Sequence, residues 1–237
     1  VDLPVLGELG VTVRQISEQL GDACAAEDHR EEIAERWSIW RDEKQRRTTE
    51  RRDRGLDSAT VFAELTTHVP EDAIIAVDVG NNTYSFGRYF ESSRQAVLMS
   101  GYLGSIGFGL PAAMGAWAAT QELGSRFFGR KVISISGDGG LGQYLAEFTT
   151  LVKYGMNITH VVLNHSELAK ISKEQRSGSW DVWQTSLVNP NFADYAELCG
   201  GLGVRVTEAS ALGNALSRAF AHEGPSLVEI MTDPALV

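Results

Sequence analysis

Three features of the sequence predict an α/β fold: a doubly wound, mainly parallel sheet with helices on both faces. Short runs such as Ile74-Ile75-Ala76-Val77 and Val132-Ile133-Ser134-Ile135-Ser136 are apolar and β-branched, as strands buried in a parallel sheet are. Segments with helical apolar spacing lie between such runs, so strands alternate with helices. Between one strand and one helix sits the glycine-rich turn Gly137-Asp138-Gly139-Gly140. It points backbone N–H groups and a helix N-terminus at one spot, an arrangement that favours a phosphate.

In chain order, Val11 to Leu20 places Val13, Ile16 and Leu20 on one face of a short amphipathic helix. Glu27 to Arg54 is dense in both charge signs around Ile33, Trp37 and Trp40, and reads as a solvated linker helix. Its Arg46-Arg47 and Arg51-Arg52 pairs suit an anionic partner less well than this, because Glu and Asp are interspersed. Gly55 to Ser58 stops that helix and starts another, with Ser58 as N-cap for Val61, Phe62 and Leu65. Ile74 to Asp78 is a central strand, and Gly80-Asn81-Asn82-Thr83 a loop at its carboxyl end, where open α/β sheets bind ligands. An Asn pair is also ordinary turn chemistry. Gly104-Ser105-Ile106-Gly107 precedes an apolar helix over Leu110 to Ala119, and Val132 to Ser136 is a strand. Gln143 to Tyr154 is a helix by the spacing of Leu145, Phe148, Leu151 and Val152. His160 to Leu163 is a strand, Ser166 to Gln175 a helix over the site, and Ser177 to Asn191 a loop. Phe192 to Cys199 and Ala211 to His222 are helices, and Val204 to Val206 and Leu227 to Met231 the last strands.

The 237 residues suffice for one full core with an appendage. A net charge of −10 makes a nucleic-acid surface improbable, since phosphate backbones are bound by basic patches. No apolar run reaches membrane-spanning length and no signal peptide opens the chain, so no membrane is expected and the location is cytoplasmic. Cys24 and Cys199 lack metal-site spacing and read as reduced thiols.

The turn itself allows more than one reading. Gly137-x-Gly139-x-x-Gly142 matches the dinucleotide fingerprint, which also wants an acidic residue about 20 positions on; the next strand ends instead in Asn164-His165. Asp138 stands where a pyrophosphate would lie. Like charges ~4 Å apart repel by roughly 4 kcal/mol at an effective dielectric near 20, whereas a divalent cation between them makes both its ligands.

At these residues the sequence resembles thiamine diphosphate enzymes, whose signature is Gly-Asp-Gly, a helix, a strand, and Asn-Asn about 27 positions after the aspartate. Here Gly137-Asp138-Gly139 is followed at that distance by Asn164-His165. Ser100 to Ala113 is similar to the stretch that grips the aminopyrimidine ring. The likeness covers nearly the whole chain and is strongest to the pyruvate oxidase and acetohydroxyacid synthase branch. It implies that residues 1–20 end a central domain, with Val1 to Gly7 resembling that domain's last strand. Residues 21–54 are then the linker, and 55–237 the diphosphate-binding domain. The chain is thus expected to be the carboxyl-terminal part of a larger enzyme.

The resemblance further implies thiamine diphosphate and Mg²⁺, or another divalent ion, as cofactors, with FAD possible in the parent enzyme. The cofactor would be held by Asn81, Asn82, Gly104, Ser105, Ile106, Gly137, Asp138, Gly139, Gly140, Asn164 and Leu168. The metal ligands would be Asp138, His165 and the carbonyl of Glu167, and Glu174 would lie on the substrate side. His165 departs from the family pattern, which has Asn there, and imidazole suits Mg²⁺ poorly. The substrate would be a 2-oxo acid such as pyruvate, decarboxylated with oxidation or acyl transfer. The partner would be the pyrimidine-binding domain of the same or a second subunit in a homodimer or homotetramer, with exposed apolar surface near Gly101 to Phe108. The rivals are a dinucleotide-binding domain and a catalytically idle phosphate-binding or scaffold module.

Overall fold

The computed structural model describes residues 4–21, 27–49 and 55–233. It contains two compact units, Val1–Asp42 and Glu43–Val237. In the first, α1 (Leu9–Leu20) starts two residues before the amphipathic pattern because the Glu8 carboxylate accepts from Gly10 N and Val11 N at 3.0 and 2.6 Å. Residues 4–7 form no strand, since their backbone groups have no neighbouring strand to pair with among the described residues; residues 1–3 of that expected strand lie outside them. In α2 (Arg30–Thr48), Trp37 and Trp40 meet edge to face at 5.3 Å.

The last turns of α2 belong to the second unit. There Glu43 takes Arg46 at 2.9 Å and Arg47 at 2.6 Å, so both members of this basic pair are engaged within their own helix. Arg51-Arg52 and the end of the expected linker helix fall outside the described residues, as does Cys24; Cys199 is a half-buried free thiol.

Six parallel strands make the sheet of the second unit. They are β1 (Ile74–Val77), β2 (Ala96–Met99), β3 (Val132–Gly137), β4 (Ile158–Asn164), β5 (Leu202–Val206) and β6 (Ser226–Met231), in spatial order β2-β1-β3-β4-β6-β5. β1 and β4 are buried throughout, and β3 and β6 in all but their last residue, as continuous apolar runs require. On one face pack α3 (Ser58–His68), α4 (Asn81–Tyr89) and α10 (Ala209–Ala221), burying Phe62, Leu65, Phe86, Leu212 and Leu216 on Ile133, Ile135, Val161 and Ile230. On the other face pack α5 (Gly109–Thr120), α6 (Asp138–Gln143), α7 (Phe148–Lys153) and α9 (Phe192–Leu198), with Leu110, Leu141, Phe148, Leu151 and Phe192 on Val132, Ile158, Val162 and Leu227. α8 (Ala169–Ser177) follows β4. No helix of the described residues is long and apolar enough to cross a membrane.

Several boundaries differ from the sequence reading, each for a local reason. Asp57, not Ser58, caps α3, since its carboxylate accepts from Thr60 N at 2.8 Å; Ser58 is the first helical residue. Gly80-Asn81-Asn82-Thr83 is not a free loop: Gly80 takes φ 130°, open to glycine, and Asn81 begins α4. β2 went unforeseen because it is a four-residue edge strand, exposed over Val97, Leu98 and Met99, too short to show an alternation. The helix expected over Gln143 to Tyr154 is broken at Tyr144 (φ −130°) into the end of α6, a 3₁₀ turn at Leu145–Glu147, and α7. Ser166, at φ 56°, delays α8 to Ala169.

Candidate functional site

β2 and β3 flank β1 on opposite sides, so the order of the sheet reverses between β1 and β3. The helix after β1 (α4) goes to one face and the helix after β3 (α6) to the other, opening a crevice at the carboxyl ends where such sheets bind ligands. A cavity of about 330 Å³ lies there. Its wall comes from Val79 to Asn82, Gly104 and Ile106, Gly137 to Gly140, His165, and Glu167 to Ile171. α4 and α8 both begin at this cavity, and neither has a side-chain cap; in α8 the Ala169 and Ile171 N–H groups donate to the carbonyls of Glu167 and Leu168, each at 2.9 Å, so it is α4 that turns its first N–H groups, of Asn81 and Asn82, to a ligand.

Asp138 is 1% exposed at the head of α6. Its Oδ1 accepts from Gly139 N at 3.0 Å, and its Oδ2 accepts from Ser166 N and Asn189 Nδ2, each at 2.7 Å. His165 Nδ1 stands 3.5 Å from Oδ1, buried and without a hydrogen-bond partner. Both side-chain amide atoms of Asn81 are likewise buried and unpartnered on the cavity wall. Buried polar atoms without partners are rare because each costs about 1–3 kcal/mol. Together they fit a polar group placed between α4 and the Asp138 turn.

The four glycines are not equivalent. A Cβ on Gly140 would lie 2.3 Å from Asp78 Oδ2, and one on Gly139 would lie 2.6 Å from Leu168 Cδ2. Gly142, by contrast, has nothing within 4 Å. The dinucleotide fingerprint needs its third glycine for close helix–strand contact, so the match at Gly142 is fortuitous.

Asp78, absent from the site residues expected from sequence, holds the other wall. Its carboxylate accepts from Val79 N at 2.7 Å, Gly107 N at 2.9 Å and Phe108 N at 3.1 Å, fixing the segment that carries Gly104 and Ile106. Burial pushes its carboxyl above the ordinary aspartate value, against the opposite pull of those N–H groups. The available signal was a carboxylate closing an otherwise apolar strand run just before Gly80.

Of the expected site residues, Asn81, Asn82, Gly104, Ile106, Gly137, Asp138, Gly139, Gly140, His165, Glu167 and Leu168 line the cavity. Asn82 donates to Asp78 O at 2.6 Å and so fastens α4 to β1. The Glu167 carbonyl accepts from Ala169 N at 2.9 Å, and its carboxylate pairs with Arg176 at 3.3 Å. Ser105 is exposed. Asn164 is buried away from the cavity, with its Nδ2 donating to Glu229 Oε1 at 2.7 Å. Glu174 is exposed outside the cavity and pairs with Lys170 at 2.8 Å, one turn along α8. That pair sits beside a wider pocket of about 550 Å³ between α4 and α8, lined by Asn81, Tyr84, Arg88, Lys170 and Lys173. Tyr102 and Leu103 are almost fully exposed, 95% and 84%. Among the described residues no three His, Cys, Asp or Glu side chains cluster as a metal site, so a cation here needs oxygens from its cofactor.

Comparison with known proteins agrees with this geometry. Residues 78–230 match the family described as thiamine pyrophosphate enzyme, C-terminal TPP binding domain. YdaP of Bacillus subtilis, described as a thiamine pyrophosphate-containing protein, is 35% identical over 178 residues, covering 74% of this chain and 30% of that protein. The catabolic acetolactate synthase of Raoultella terrigena is 25% identical over 98% of this chain and 40% of its own length. Among solved structures, a thiamine diphosphate-dependent 4-hydroxybenzoylformate decarboxylase of Rhodococcus jostii RHA1 superposes with a TM-score of 0.66 at 26% identity, over 78% of this chain and 34% of that one. The chain therefore spans between about three tenths and two fifths of the length of these relatives. A match across most of the sheet and both walls of the cavity places this chain in the family of thiamine pyrophosphate enzymes, as a C-terminal TPP-binding domain.

Proposed function

We propose that this chain is the diphosphate-binding part of an enzyme that decarboxylates a 2-oxo acid such as pyruvate, followed by oxidation or acyl transfer. The observation that carries this reading is the Asp138 carboxylate, buried beside two uncapped helix starts at the switch point of the sheet. A phosphate is favoured by those helix ends and opposed by the carboxylate, and a divalent cation reconciles them. Asp138 Oδ1, His165 Nδ1 and the Glu167 carbonyl would hold the cation together with diphosphate oxygens. Asn81 and the first N–H groups of α4 would take the remaining phosphate oxygens. Gly104 and Ile106, held by Asp78, would face the ring system. When bound, thiamine diphosphate supplies the carbon nucleophile and electron sink for decarboxylation.

The chain's own groups bind, orient and exclude water, and none of the described residues is placed to activate the aminopyrimidine. That task falls to a pyrimidine-binding domain, from the same or a second subunit of a homodimer or homotetramer. The exposed Tyr102 and Leu103 beside the cavity suit such a partner. Lys170, Lys173 and Arg88 line the adjoining pocket and suit the carboxylate of a 2-oxo acid, with Glu174 as the counter-charge.

Thermal unfolding with thiamine diphosphate and Mg²⁺ or Mn²⁺ tests the reading. Ligand at 100 times its dissociation constant stabilises by about 2.7 kcal/mol, which is about 5–10 °C for a chain of this size. No shift with the cofactor and either cation, or a shift with NAD or FAD instead, refutes it. A shift with inorganic pyrophosphate that equals the cofactor's and needs no cation points to the idle phosphate module.

A further inference from the structure

Asn189 and Glu229 belong to no motif of the sequence, and neither lines the cavity, yet hydrogen bonds run without a gap from them to Asp138. Glu229 is fully buried in β6. Its Oε1 accepts from Asn164 Nδ2 at 2.7 Å and its Oε2 from Ala193 N at 3.2 Å, with the Arg205 guanidinium 3.8 Å from Oε2. This carboxylate decides which way the Asn164 amide faces, because the flipped amide would set oxygen against oxygen. Asn164 Oδ1 is thereby turned to accept from Ser166 N at 3.1 Å and Asn189 Nδ2 at 3.0 Å. The same two donors reach Asp138 Oδ2. Ser166 holds its N–H there at a left-handed φ of 56°, a conformation that a serine keeps only when its surroundings impose it.

The consequence is an asymmetric carboxylate. Oδ2 is occupied by two protein donors, whereas Oδ1 takes one backbone N–H and stands beside the unpartnered His165 Nδ1. We propose that Asn189 and Glu229 are positioning residues for cation binding: through Asn164 and Ser166 they lock Asp138 so that Oδ1 is the oxygen presented to a divalent ion. This rests on the reading of Asp138 as a cation ligand. Without Glu229 the amide of Asn164 is free to turn, and without Asn189 the carboxylate is free to rotate, and either change lowers affinity without touching the ion. Groups one shell beyond a metal commonly carry about 10–100-fold in affinity.

The test is Mn²⁺ binding by the purified protein with thiamine diphosphate, followed by the electron paramagnetic resonance of free Mn²⁺. Asn189→Ala and Glu229→Gln are expected to weaken Mn²⁺ binding at least about tenfold, within that range. The amide that Glu229→Gln introduces has one oxygen, which it can offer to Asn164 or to Ala193 N, but not to both. The visible absorption of bound Co²⁺ reports ligand geometry and is expected to change in both variants; a merely structural role leaves it as in wild type. Because Glu229→Gln removes a buried charge and its folding is at risk, Asn189→Ala, on a loop, decides alone if Glu229→Gln does not fold. Wild type that binds Mn²⁺, with Asn189→Ala folded, equal in affinity and identical in Co²⁺ spectrum, overturns the positioning role only. Wild type that binds neither ion in the presence of the cofactor overturns the reading of Asp138 as well.

Discussion

Three glycines of one short helix allow the same substitution to be read against three different neighbours. Gly140→Ala places a methyl group 2.3 Å from Asp78 Oδ2. Asp78 is 1% exposed and its carboxylate holds Gly107 N and Phe108 N, so it can withdraw only by releasing them. Overpacking costs about 1–3 kcal/mol, and losing one hydrogen bond to a charged group a further ~1.5–3. Replacing a helical glycine with alanine returns about 1 kcal/mol, so the net expectation is a loss of about 1.5–5 kcal/mol. Gly142→Ala meets nothing within 4 Å and should keep that gain of about 1 kcal/mol. Gly139→Ala meets the end of the flexible Leu168 side chain, and should fall between the two while narrowing the cavity. Urea unfolding at pH 7 with unchanged slope gives the three values directly. A second reading comes from thiamine diphosphate affinity, which should fall in Gly140→Ala, where the Gly104–Phe108 segment is released, and hold in Gly142→Ala. Stability of Gly140→Ala within about 0.5 kcal/mol of Gly142→Ala would show that the contact between α6 and Asp78 is not as tight as described, and the reasoning would fail.

Three further outcomes are expected. Asp138→Ala should abolish cation-dependent thiamine diphosphate binding in a calorimetric titration; it should still fold, at a cost of about 1–3 kcal/mol for donors left without an acceptor, and unchanged affinity would end the cation reading. His160, fully buried in β4 with Nε2 2.9 Å from Ser136 Oγ, is pushed by burial from 6.5 to about 3, so it stays neutral in the fold and takes up a proton on unfolding. Its contribution is therefore present above pH 6.5 and is lost as pH falls towards about 3, by about 2 kcal/mol between pH 7 and pH 5; His160→Leu should flatten that slope in urea titrations, and equal slopes would contradict it. His165→Asn should strengthen Mg²⁺-supported cofactor binding, while wild type should be better served by Mn²⁺ or Co²⁺, because an imidazole nitrogen suits those ions and Mg²⁺ wants oxygen. Thermal shifts in each metal that rank wild type and variant alike would make the substitution neutral.

The sequence announces those parts of the fold whose physics is local. β1, β3 and β4 are runs of β-branched residues because both faces of a central parallel strand are buried, and periodicity reports that directly. The Gly137–Gly140 turn is legible for the same reason, since its glycines are set by what stands against them within a few ångströms. β2 carries no such signature, because an edge strand buries little and its register with β1 is made by a neighbour distant in the chain. The site divides along the same line. Asp138 announces itself by being a carboxylate in a glycine-rich turn between a strand and a helix. Asp78, Asn189 and Glu229 do not, since their partners lie 29 or 30, 51 and 65 positions away and nothing local marks them. Glu174 illustrates the converse: a residue placed by resemblance whose side chain is turned to Lys170 by the i, i+4 geometry of its helix.

Two buried aspartates end neighbouring strands of this sheet, and their surroundings give them different tasks. Asp78 follows β1, and the pairing of Val77 with Ile135 sets it level with Ser136. Its carboxylate is closed on one side by Gly140 and on the other by the N–H groups of Gly107 and Phe108. A carboxylate so surrounded has both oxygens taken by backbone N–H groups, and it serves to tie the Gly104–Phe108 segment to the sheet. Asp138 lies two residues further along β3, past the end of the strand ladder, where Oδ1 is left with one N–H and an imidazole that does not reach hydrogen-bonding distance. On the proposed reading, a carboxylate with one oxygen so sparsely engaged, next to an uncapped helix end, is the one that draws a cation and, through it, an anion, which the fully engaged one does not. The same residue type thus produces scaffold at one strand end and, on the proposed reading, a binding group at the next, and what separates them is the number of backbone donors that the fold delivers to each.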